Sequence, residues 1–218
     1  MLTVFPGLPG APLSLLCLGA HCDDIEIGAG GTILRLLGER PGSSVRWVVF
    51  SSDAARAGEA RRSAAEMLAQ AGHAQVEVLE FRESFFPHQA AAIKEQFERL
   101  KTSVKPDLVL THRPADLHQD HRTLGELTWN TFRDHLILEY EIPKYEGDLG
   151  QPGVFVPLSA AVARRKLELI VKHFPSQAGR RWFKAENFEA LLRLRGIECN
   201  APDGFAEAFH ARKLVLGG

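Results

Sequence analysis

Apolar and polar positions alternate along this chain in blocks. Leu13–Leu18 is apolar throughout, as expected of a central parallel strand covered on both faces, and reads as the first strand. Small residues follow, and Thr32–Gly38 reads as a helix closed by Gly38 and Pro41. Val45–Phe50 is the second strand, and Ser51-Ser52-Asp53 is a turn. The proline-free, alanine-rich stretch from Arg56 to Ala71 is a helix that stops at Gly72. Val76–Phe81 is the third strand, Phe85-Phe86-Pro87 interrupts, Ala90–Val104 is helical, and Pro106 introduces a fourth strand at Asp107–Leu110. The next helix begins near His121.

Four strand–helix repeats predict an α/β fold. The expected architecture is a Rossmann-like, mostly parallel sheet with helices on both faces, three layers in all. Beyond about residue 136 the pattern is less regular. Leu136–Ile142 and Val154–Pro157 read as strands, Ser159–His173 and Ala185–Leu194 as helices, and Phe209–Leu216 as a closing strand. Residues 1–12 are rich in Pro and Gly and read as a lead-in. No composition shift or repeat marks a boundary, so one domain over 1–218 is expected.

Composition narrows the partners. With 26 Lys and Arg against 27 Asp and Glu, the net charge is −1, which gives no bulk attraction to nucleic acid or an anionic membrane. Short basic clusters such as Arg61-Arg62 and Arg180-Arg181 fit solvated helix faces. Three cysteines make no disulfide framework. The first residues lack the basic and long apolar regions of a signal peptide, and no run of ~20 apolar residues occurs. A cytoplasmic protein is expected, and a homo-oligomer is compatible with the sequence.

The chemistry lies in two polar knots, His21-Cys22-Asp23-Asp24 and Asp116-Leu117-His118-Gln119-Asp120-His121. Each directly follows a predicted strand, so both fall at the carboxyl edge of the sheet, where such folds bind ligands. His21 and Asp24 stand three apart on a turn entering a helix and share a face. Imidazole and carboxylate are ordinary zinc ligands. Adjacent carboxylates at Asp23 and Asp24 repel unless a cation sits among them. Asp23 points elsewhere and reads either as a helix cap or as the base that holds a metal-bound water. His118 and His121 add two imidazoles, of which one binds metal and the other stays free. Three protein ligands with an open fourth place is the catalytic zinc pattern.

Other candidates are weaker. Gly28-Ala29-Gly30-Gly31 lacks the G-x-G-x-x-G spacing, and no G-x-S-x-G elbow is present. Cys22 reads as a bystander whose side chain points away from its neighbours'. Of the remaining histidines His112 stands out, because it follows the fourth strand. Arg62, Arg82, Lys144 and Glu146, on or near loops at the substrate side, are candidates for substrate contact.

At these residues the chain resembles the PIG-L/LmbE-like family of zinc-dependent N-deacetylases. The family's A-H-P-D-D-E motif appears as Ala20-His21-Cys22-Asp23-Asp24-Ile25-Glu26, and its D-x-H-x-D-H motif as Asp116-Leu117-His118-Gln119-Asp120-His121. The similarity extends to Gly30-Gly31-Thr32, to the second helix ending in Gly72, and to Ala206-Glu207-Ala208-Phe209. Cys22 replaces the usual proline and Ile25 the usual glutamate.

The resemblance implies a divalent metal, Zn2+ or else Fe2+, held by His21, Asp24 and His121. It implies Asp23 as the general base. It implies His118, with Asp120 behind it keeping it cationic, as the group that stabilises the oxyanion or protonates the leaving amine. It implies removal of an acetyl group from an N-acetylated sugar or glycoconjugate. The alternatives are an amidase acting on a thiol-sugar conjugate or other amide, and a non-catalytic binding protein of the same fold.

Overall fold

The computed structural model describes residues 10–215. The start of the lead-in and Leu216, the last residue of the expected closing strand, lie outside the described residues. Strands β1 (Ser14–Gly19), β2 (Ser44–Val49), β3 (His73–Val78), β4 (Leu108–His112) and β5 (Leu136–Tyr140) run parallel. Helices α1 (Asp24–Glu39), α2 (Ala54–Met67), α3 (Ala90–Ser103) and α4 (Gln119–Thr131) connect them, with a 3-10 turn at Phe86–Gln89 before α3. Strand β6 (Val154–Leu158), helices α5 (Ala160–His173) and α6 (Ala185–Glu198), and β7 (Phe205–His210) follow. The sheet order is β3-β2-β1-β4-β5-β7-β6, with β7 antiparallel to both of its neighbours. The mostly parallel α/β sandwich expected from the alternation is therefore present. One apolar cluster forms on each face of the sheet, around Leu15, Cys17, Trp47 and Tyr140 on one side and Leu16, Leu18, Phe50 and Phe97 on the other.

Three expectations need correction. First, α1 begins eight residues before the expected Thr32. Glycine lowers helix propensity, which hides the first turns, yet here the glycines serve packing: a Cβ at Gly28 would collide with the Tyr140 ring, and one at Gly31 with Leu158. Second, β3 is His73–Val78, not Val76–Phe81. It is an edge strand, so its first half is exposed and lacks an apolar signature. Third, the closing strand is Phe205–His210, not Phe209–Leu216. It is an interior antiparallel strand whose alternation is blurred by small residues.

Chain order reverses between β1 and β4, which opens a crevice at their carboxyl ends. The loop 20–23 leaves β1 there and the loop 113–118 leaves β4. The loops after β3 and β5 flank them. Among the described residues no helix is long and apolar enough to cross a membrane.

Candidate metal centre and active site

The chain passes from β1 into α1 through Ala20–Asp23. Asp24 opens the helix, and its Oδ2 accepts the backbone N–H of His21 at 2.6 Å, which folds the loop on itself. Asp23 occupies the N-cap position but makes no side-chain cap bond. Its Oδ1 lies 3.2 Å from Arg56 Nη2, and its Oδ2 is buried without a partner. Burial and the Asp24 carboxylate raise the Asp23 pKa to about 6, against the pull of Arg56. The positive end of α1 favours both carboxylates.

The second loop enters α4 through His118, whose Nδ1 accepts the N–H of Asp120 at 3.3 Å. One turn on, His121 points back across the crevice. Its Nε2 lies 3.1 Å from His21 Nδ1 and 3.5 Å from Asp24 Oδ1, and His21 Nδ1 lies 3.3 Å from Asp24 Oδ2. Tetrahedral ligands ~2.0–2.1 Å from a zinc ion stand about 3.3 Å apart, and these spacings, two of which involve different oxygens of Asp24, are of that order. Among the described residues the groups whose ligand atoms all lie close together are His21-His118-His121 and Asp24-His112-His121, so the expected set His21, Asp24 and His121 is divided between two groups that share His121.

Second partners fix which nitrogen of each ring faces the crevice. His21 Nε2 lies 3.1 Å from Asp120 Oδ2, and His121 Nδ1 lies 3.1 Å from Asp116 Oδ2. A proton on each of those nitrogens leaves His21 Nδ1 and His121 Nε2 as lone-pair donors. Two such lone pairs 3.1 Å apart repel unless a cation or a proton lies between them. Among the described residues, Arg56 pairs with Asp23 and Lys144 with Asp116, while Asp24 and Asp120 pair with histidines alone. Without the cation a proton takes its place: burial opposes charge on His21, but Asp24 and Asp120 outweigh it and lift its pKa to about 10. Burial likewise opposes ionisation of Asp24, yet His121, His112 and His21 hold its carboxyl well below the usual range.

Asp120 is not behind His118. Its carboxylate is spent on His21 and on the backbone N–H groups of Ser84 at 2.6 Å and Phe86 at 3.1 Å. Burial and the charges of His121 and His21 lower the His118 pKa, which opposes a charge on the ring. Because Nδ1 accepts a hydrogen bond, its proton sits on Nε2.

The substrate candidates are scattered. The Lys144 ammonium is committed to Asp116 Oδ2 at 2.9 Å and Asp148 Oδ1 at 2.6 Å, so it is not free to meet a substrate. Arg82 stacks on Phe85 at 3.6 Å. Arg62 is exposed on α2 and lies against Gly58 of its own helix, and Glu146 is exposed in the loop after β5. Cys22 turns away, its thiol donating to Ser51 O at 3.4 Å, with burial pushing its pKa up to about 12.

Two further residues join the site, Arg56, which escapes sequence reasoning, and His112, which stands out in the sequence but is given no role there. Arg56 reaches Asp23 from the first turn of α2 and bonds Glu83 at 3.2 Å. No motif contains it, and only the fold brings it in. His112 stacks on His121 with ring centroids 3.9 Å apart, and its Nε2 lies 3.1 Å from Asp24 Oδ2 and 3.2 Å from Tyr140 Oη. Its place at the end of β4 is the signal that singles it out.

Residues 16–132, more than half the chain and both polar loops, match the family model described as PIG-L, GlcNAc-PI de-N-acetylase. The chain belongs to the PIG-L family. Solved structures share its fold. A conserved protein from Thermus thermophilus is 21% identical, with 94% of this PIG-L chain and 97% of that one covered and a TM-score of 0.72. The N,N'-diacetylchitobiose deacetylase from Pyrococcus horikoshii is 22% identical, covering 91% and 83%, with a TM-score of 0.70. GalB, the 4-carboxy-2-hydroxymuconate hydratase from Pseudomonas putida, is 18% identical, covering 94% and 98%, with a TM-score of 0.71. No curated protein matches the chain. A deacetylase and a hydratase on one fold mean that the reaction has to be argued from the site.

Proposed function

We propose that this PIG-L chain is a divalent-metal-dependent N-deacetylase acting on an N-acetylated sugar or glycoconjugate, with His21, Asp24 and His121 as metal ligands and Asp23 as general base. One observation carries the reading. His21 Nδ1, His121 Nε2 and the two oxygens of Asp24 approach one another at 3.1–3.5 Å, and beside them lies a buried carboxylate oxygen, Asp23 Oδ2, with no partner among the described residues. A binding protein has no need of that oxygen. A hydrolase needs it to take a proton from water.

When bound, zinc or another divalent metal lowers the pKa of a water and polarises an acyl oxygen. The residues supply the rest. Arg56 holds Oδ1 of Asp23 and leaves Oδ2 free for the proton of the attacking water. A carboxylate whose pKa is raised to about 6 takes that proton and gives it back to the departing amine near neutral pH. His118 offers its Nε2–H to the oxygen on which negative charge develops. Free amine and acetate result. The family description and the chitobiose deacetylase support an acetylated amino sugar as substrate.

The test is metal content of the purified protein, with acetate release from N-acetylglucosamine and its conjugates before and after chelation. Near-stoichiometric metal with chelator-sensitive acetate release is expected. Metal without acetate release moves the reaction to other amides, or to the water addition named for the Pseudomonas neighbour. No metal bound, even with zinc added, breaks the proposal.

A further inference from the structure

Each of the two facing histidines is backed by one buried aspartate, and each aspartate is bonded to a different loop at the carboxyl edge. Asp120, behind His21, holds the backbone of 84–86. Asp116, behind His121, meets the loop after β5 through Lys144. The same oxygen, Asp116 Oδ2, faces His121 Nδ1 at 3.1 Å and Lys144 Nζ at 2.9 Å. Lys144 also binds Asp148 Oδ1 at 2.6 Å, and Asp148 Oδ2 accepts the N–H of Leu117 at 2.7 Å. Arg113 donates to Asp148 O at 3.0 Å. The Lys144 and Asp148 side chains are only 10% and 8% exposed.

These contacts make the ammonium a shared element. It fastens a loop, and it draws charge from the carboxylate that orients a metal-ligand histidine. A partner of this kind sets ligand orientation and basicity. We propose that Lys144 is a positioning residue for His121, acting through Asp116, and that the order of the 143–150 loop is thereby coupled to metal binding. The inference rests on the metal reading above. Linkage makes it reciprocal: metal orders the loop to the extent that the loop tightens metal.

Two measurements on the whole chain test it. In the unsubstituted protein, cobalt(II) or zinc slows amide hydrogen exchange over 143–150; binding without slowing overturns the coupling. Lys144→Met shifts the cobalt(II) absorption bands, weakens metal affinity about 10–100-fold, as loss of an outer-shell partner typically does, and removes the metal dependence of loop exchange. Lys144→Arg restores both. Asp148→Asn, which keeps the Lys144–Asp116 pair, speeds loop exchange and leaves the cobalt bands in place. Lys144→Met with unchanged bands and affinity overturns the role. Failure of the unsubstituted protein to bind either metal overturns the metal reading itself, a distinct result.

Discussion

Two buried charge clusters grip α1, one at its start and one at its middle, and they are built differently. At the middle, Glu207 accepts from the N–H groups of Gly31 at 2.7 Å and Thr32 at 2.6 Å, and Lys166 donates to Glu207 and to Ile27 O, both at 2.6 Å. A regular helix would join Gly31 N–H to Ile27 O; here each also has a side-chain partner. One cation meets one anion and every oxygen is engaged. At the start, carboxylates outnumber cations and Asp23 Oδ2 has no partner. The balanced cluster needs nothing more. The unbalanced one has room for a cation and a proton, the imbalance on which the proposed metal and base roles rest.

Substitutions test that division from both sides. The largest effect belongs to the site: Asp23→Asn lowers acetate release by about 10²–10⁴-fold, the range for loss of a general base, while metal content by emission spectrometry stays near that of the unsubstituted protein. Full turnover in that variant would remove the base. Next comes the structural pair. Lys166→Met leaves Glu207 charged and buried without its cation and costs about 3–5 kcal/mol in denaturant unfolding. Adding Glu207→Gln recovers part of that loss. Were the pair catalytic instead, Lys166→Met would lower turnover with no change in the unfolding midpoint.

Gly31→Ala forces a methyl against Leu158 and close to Glu207, and overpacking of this kind costs about 1–3 kcal/mol, read as a lower melting temperature. The smallest effect is a displacement in pH. As the proposed base Asp23 acts ionised, and its pKa is raised to about 6, so kcat/KM of the metal-loaded protein is expected to be flat above an acid limb and to fall tenfold per unit below it. Arg56 pulls that pKa down, so Arg56→Gln moves the limb to higher pH. A limb that stays in place under this substitution would detach it from Asp23.

The sequence was legible where chemistry and chain order coincide. His21 to Asp24 and Asp116 to His121 are contiguous runs after strands, so their meeting at one sheet edge follows from the alternation alone. What stayed hidden depends on distant partners. Arg56 joins the site through the packing of α2, and no local spacing records that; His112 is marked by its place after β4, but its stacking on His121 is not. Asp120 sits two residues from His118 but its carboxylate faces His21, because the first turn of α4 aims it across the crevice. The early turns of α1 are concealed by glycines whose purpose appears only once Tyr140 and Leu158 lie against them.

The position of β7 bears on how the molecule is made. It is the last strand in sequence, yet it lies between β5 and β6 and carries Glu207 to the middle of α1. During synthesis from the N-terminus, α1 and both polar loops emerge long before residues 205–210. Until those residues arrive, β6 has no neighbour in the sheet, and Lys166 has no carboxylate to meet. A nascent chain stalled short of β7 therefore carries both polar loops but lacks the contacts of Glu207 to Gly31 and Thr32 at the middle of α1.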